Sequence, residues 1–147
     1  MPTHPNDQTA SIGTISKGKP LAPRALRAAL YGGGVVATTA GLHTIVAGAK
    51  SLPGQGQADP VLESELRFYA AFYVAYGIAA FRVGPHAATE TAAVRALAGA
   101  LFLAGTARAG GWLAAGRPHR VQRMLMAVEL ALPPLLIAGQ ARLAASP

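Results

Sequence analysis

Ionisable side chains stand inside otherwise apolar stretches at His43, Glu65, Arg67, Arg108 and Glu129. If those stretches cross a membrane, each buried charge costs roughly 2.5–3.5 kcal/mol on insertion scales, so it needs a partner inside the protein. Arg108 and Glu129 form the natural pair. Arg108 precedes the Gly116-Arg117-Pro118-His119 turn by about as many residues as Glu129 follows it, so a hairpin brings them to one level. A guanidinium matches a carboxylate bidentately. Glu65 or Arg67 would extend the pair into a network. Glu65 also heads a helical-spacing face of Tyr69, Phe72, Tyr73 and Tyr76, and Tyr69, Tyr73, Tyr76 and Trp112 are candidates to line a pocket.

Pro133-Pro134 falls one turn after Glu129. These prolines remove the N–H groups that would bond the carbonyls of Glu129 and Leu130. A kink is expected there, with freed carbonyls that lipid cannot satisfy. His43 stands alone, without an HxxxH or ExxH partner, and reads as a buried or interfacial polar group rather than a metal ligand. With no cysteine in the chain, a thiolate zinc site, a disulfide scaffold and a cysteine nucleophile are excluded. Gly32-Gly33-Gly34 lacks the lysine and hydroxyl of a phosphate loop, and Ser51 and Ser64 have no evident base. No metal, cofactor or catalytic set is therefore assigned.

The elements that must position these groups are legible in the hydropathy. Hydrophobic residues make up 52% of the 147 and charged residues only 13%, about half the ~25% of a soluble domain. Mean hydropathy is +0.33. Four apolar segments, near 27–49, 61–83, 91–115 and 121–140, are separated by Gly/Pro-rich breaks. Each is long enough for a ~30 Å hydrocarbon core at ~1.5 Å per residue. The expected fold is all-α, a four-helix transmembrane bundle running up-down-up-down over 25–142, preceded by a disordered basic tail over 1–24. Ala47-Gly48-Ala49 resembles a signal-peptidase site, but the apolar run before it is longer than a usual signal core, and it is kept as the first span. Small-residue faces at Gly33, Ala37 and Gly41, and at Gly99, Ala100, Ala104 and Gly105, suit close helix contacts, and Tyr31, Tyr69 and Trp112 suit the interfaces.

The net charge is +7. The cations are scattered between apolar segments rather than gathered on one face, which fits membrane-flanking loops and not a nucleic-acid interface. Lys17, Lys19, Arg24, Arg27, Arg82, Arg95 and Arg142 fall on one side, against Lys50, Arg67, Arg117, Arg120 and Arg123 on the other. The positive-inside rule then places both termini in the cytoplasm of a bacterial inner membrane.

The run Glu65-Leu66-Arg67-Phe68-Tyr69 with Gly77, followed by Ala107-Arg108 and Val128-Glu129-Leu130 at this length, resembles the bacterial membrane family called domain of unknown function 4345, over about Leu26 to Arg142. Ala70 and Ala71 stand where that family favours glycine. The resemblance implies a small four-span membrane protein with Glu65, Arg67, Arg108 and Glu129 as its polar positions. The chain is more distantly similar to DoxX-like four-helix membrane proteins, which implies no chemistry. The expected function is a non-enzymatic accessory or small-ligand-binding component. The alternatives are a lipid- or quinone-linked enzyme or redox component and a subunit of a larger membrane complex. The expected partners are the bilayer and a second copy or a larger assembly.

Overall fold

A computed structural model describes residues 21–56 and 58–144. The segment before Leu21, expected as a tail, lies outside the described residues. Four long helices follow one another: α1 (Leu21–Ala47), α2 (Pro60–Val83), α3 (Thr91–Ala115) and α4 (Arg120–Ala144). Short 3-10 turns, Gly48–Ser51 and Gly84–His86, follow α1 and α2. No strand occurs among the described residues.

Local chemistry sets the helix ends. Asp59 caps α2, its Oδ1 accepting from the backbone N–H groups of Val61 and Leu62 at 2.9 and 3.1 Å, with Pro60 at the first helical position. Gly48 ends α1 at φ +56°, the left-handed region that favours glycine. A β-carbon there would also strike the Glu63 carboxylate. Gly116, at φ +90°, ends α3 and starts the turn into α4. The helices run beyond the apolar segments at their outer ends. α1 begins at Leu21 rather than near Arg27, and α4 continues past Gln140 to Ala144.

The helices form two antiparallel hairpins, α1 on α2 and α3 on α4, joined mainly through α1 and α4, while α2 and α3 meet only sparsely. The α1–α2 seam runs from Tyr31 against Gly84 to Ala49 against Glu63. Tyr31 covers Gly84 and stacks on Phe81 at 6.2 Å. Gly34 faces Gly77 and Phe81, Gly41 faces Ala70 and Val74, and the Ala49 N–H donates to Glu63 at 3.1 Å. Backbones approach closely along this seam, because a β-carbon on Gly77 would lie 2.7 Å from the Gly34 carbonyl oxygen and one on Gly41 2.7 Å from the Ala70 carbonyl oxygen. The small-residue face of α1 is thus Gly34, Ala37 and Gly41. Gly33, expected there, has open space beside it, since one residue turns the helix by a hundred degrees. On α3 the close contact is Gly105, against Leu130 and the Cβ of Glu129, whereas Gly99 is open.

The apolar core lies toward the Leu21 end. Leu26 and Leu30 of α1, Ala80 of α2, Val94, Leu97 and Ala98 of α3 and Leu136 of α4 are buried together with Ala87. Gln140 is buried in the same half, 1% exposed, its Nε2 donating to Thr91 Oγ1 at 2.5 Å. Arg27 donates to the Pro85 carbonyl at 2.9 Å and ties α1 to the α2–α3 connection. Outside, Val35, Val36, Val46, Phe68, Phe72, Leu103, Leu113 and Leu135 stand half or more exposed. Three helices, Arg24–Ser51, Thr91–Ala115 and Arg120–Leu143, are long and apolar enough to cross a membrane. Apolar side chains presented outward in this way suit a lipid surround, and the chain is a multi-pass membrane protein.

Candidate functional site

The polar centre is built on α4. Gln122 and Glu129 are seven residues apart, so they share a face about 10 Å along the axis. Gly105 lets α3 approach α4 at the level of Glu129 and Leu130, and Arg108 follows Gly105 by one turn on the same face. The Arg108 side chain therefore lies along α4. Its Nε donates to Glu129 Oε2 at 2.7 Å and its Nη1 to Gln122 Oε1 at 2.5 Å. Its Nη2 donates across the bundle to the Tyr73 hydroxyl on α2 at 2.6 Å. Three helices are thus joined through one guanidinium.

The Glu129 side chain is 7% exposed and that of Arg108 26%. The carboxylate is the desolvated partner, and the guanidinium keeps an edge toward the surroundings. The pair differs from the expected bidentate fork. Only Nε addresses Glu129, because Gln122 and Tyr73 occupy the two η nitrogens.

The other expected members fall elsewhere. Arg67 does not extend the network; it pairs within α2 with Glu63, Nη2 to Oε2 at 3.3 Å, because residues four apart share a helix face. Glu63, not Glu65, is the inward carboxylate of α2, its Oε1 accepting the Ala49 N–H and thereby fastening the end of α1. Glu65 and His43 are exposed on the outer faces of α2 and α1. Tyr69 also stands outside, edge-on to Phe68 at 5.4 Å, rather than lining a pocket. Tyr76 packs on the apolar core and donates to the Leu97 carbonyl at 3.4 Å, one of the few bonds between α2 and α3. Pro133 and Pro134 lie within α4, which continues through them as helix, and Pro133 is buried on the stripe of Glu129.

Beside Arg108 lies an open cleft of about 320 Å³. Arg108, Gly111 and Trp112 of α3, Arg117 and Pro118 of the turn, and Gln122 and Met126 of α4 line it. Trp112 is the one expected pocket aromatic that reaches it. Gln122 and Glu63 were not among the expected site residues. The signals that find them are the seven-residue interval from Gln122 to Glu129 and the four-residue interval from Glu63 to Arg67. Among the described residues no group of His, Asp and Glu is placed to hold a metal ion.

No curated protein and no solved structure matches the chain. The model of the family described as Domain of unknown function (DUF4345) matches residues 25–140. That match takes in α2 and α3 whole, most of α1 and α4, and every residue of the Arg108 network, and the chain belongs to this family.

Proposed function

We propose that this protein is a non-enzymatic accessory component of the bacterial inner membrane that holds a small amphiphilic ligand in the cleft beside Arg108. The carrying observation is the joint placement of a locked charge network and an open cleft at one end of the bundle. Arg108 is engaged by Glu129, Gln122 and Tyr73 and so is a fixed element rather than a mobile acid or base. The cleft next to it pairs polar Arg117 and Gln122 with apolar Trp112 and Met126, the mixed lining an amphiphile needs.

In this reading α2 is a fourth span. It falls short of the other three in apolarity because Glu63, Glu65, Arg67 and Arg82 lie toward its ends. Yet it lies antiparallel against α1 from Glu63 at one end to Gly84 at the other, so it shares the depth of α1. Its charges then fall near the two interfaces. The termini face the cytoplasm, with Arg24, Arg27, Arg82, Arg95 and Arg142 at that end.

The test is mass spectrometry of the full chain released from mild detergent. A lipid-sized adduct is expected on the wild type and is expected to disappear in Gly111→Leu, which fills the cleft where a β-carbon meets nothing within 4 Å. Absence of any adduct on the wild type, or its persistence in Gly111→Leu, overturns the cleft as the binding site.

A further inference from the structure

We infer that the occupant of the Arg108–Arg117 cleft is a lipid with an anionic phosphate headgroup. This rests on the cleft reading above and adds the charge of the ligand. The argument starts from unmet hydrogen-bond capacity. A guanidinium carries five N–H donors. Arg108 directs three of them to Glu129, Gln122 and Tyr73, which leaves one hydrogen on each η nitrogen. Arg108 also lines the cleft and is partly exposed there.

Arg117 lines the same cleft and forms no ion pair or hydrogen bond among the described residues. Among the described residues no carboxylate lines it. Glu129 neutralises Arg108 from the far side, so Arg117 sets a net positive charge at the opening.

The depth is that of a headgroup. From Thr91 to Ala115, α3 is about 37 Å long at ~1.5 Å per residue, longer than a ~30 Å hydrocarbon core. Its last turn and Arg117 therefore stand at the phosphate level. Trp112 sits one turn below, where indole rings settle at the interface. A phosphate on Arg117 and the remaining Arg108 hydrogens places the first methylenes of an acyl chain against Trp112 and Met126. A zwitterionic headgroup brings its own cation to the same positive rim and is disfavoured by like-charge repulsion.

The test uses the full chain in neutral detergent, read by native mass spectrometry. The probes are phosphatidylglycerol and phosphatidylcholine of identical acyl chains, with glycerol 3-phosphate as the soluble source of the same phosphate. Phosphatidylglycerol is expected to be retained about tenfold more strongly than phosphatidylcholine. Arg117→Gln is expected to weaken phosphatidylglycerol retention about fivefold. Arg95→Gln, at the opposite end of α3, is expected to leave it unchanged. Equal retention of the two lipids, or equal behaviour of Arg117→Gln and Arg95→Gln, overturns the anionic assignment while leaving an amphiphile cleft. Binding of glycerol 3-phosphate as strong as that of phosphatidylglycerol overturns the lipid in favour of a soluble phosphate. Retention of neither lipid overturns the cleft reading as well.

Discussion

Glu129 and Arg108 show how a charge survives inside an apolar bundle. Neither is tolerable alone, since a desolvated carboxylate without its cation forfeits several kcal/mol. Arg108→Ala is therefore expected to destabilise the protein by about 3–5 kcal/mol, more than removal of an exposed ion pair, because it strands a carboxylate that is 7% exposed. Arg108→Met combined with Glu129→Leu is expected to cost less than either single truncation. Tyr73→Phe removes one hydrogen bond and is expected to cost about 0.5–1.5 kcal/mol. Trp112 is the single tryptophan and lines the cleft beside Arg108, so its fluorescence during unfolding in detergent reports all three outcomes. At the other end, Gln140→Leu deprives Thr91 Oγ1 of its donor, and the same assay is expected to show a loss of about 1–3 kcal/mol.

Between helices the decisive quantity is distance. Apolar side chains gain little from leaving lipid for one another, so the α1–α2 hairpin depends on close packing. Gly41 and Gly77 touch backbone of the facing helix, and backbone cannot move aside as a flexible side chain can. Gly77→Val and Gly41→Val are each expected to destabilise the hairpin by about 1–3 kcal/mol. Gly33→Ala enters open space and is expected to be neutral or to stabilise by up to about 1 kcal/mol through helix propensity. Thermal unfolding of the three variants in one detergent checks the contrast; equal losses at all three positions would remove the seam as its cause. On α4, the stripe Gln122, Glu129, Pro133, Leu136 and Gln140 runs inward along the whole helix. The two prolines interrupt its backbone bonding, and α4 still continues as helix because its neighbours hold both ends, through Arg108 and through Thr91.

Taken whole, the molecule separates its chemistry by end. The apolar core and the Gln140 lock occupy one half of the bundle, and the Arg108 network, Glu63 and the cleft occupy the other. This polarity gives the orientation a direct test. The chain holds no cysteine, so single cysteines report without background. In intact bacterial cells Lys50→Cys is expected to react with a membrane-impermeant maleimide, and Ala88→Cys is expected to react only after permeabilisation. The reverse pattern would invert the protein, and reaction of both from outside would show that α2 does not cross.

Helix number, type and approximate extent follow from the residues in order, because four apolar stretches broken by Pro53-Gly54, Gly56 and Pro60, by Gly84-Pro85 and by Gly116-Arg117-Pro118 leave little else to form. The proximity of Arg108 to Glu129 is also written locally, since a short turn makes the two helices antiparallel neighbours and equal distances from the turn give equal depth. What the order of residues leaves open is the rotation of each helix about its own axis. A helical period relates side chains to one another but does not say which face meets a neighbour. Only the packed bundle turns Glu63 rather than Glu65 inward, sets Gly34 rather than Gly33 against α2, and aims Gln122 and Tyr73 at the guanidinium. Those choices come from the closest approach of whole surfaces, a property that no single stretch of chain contains.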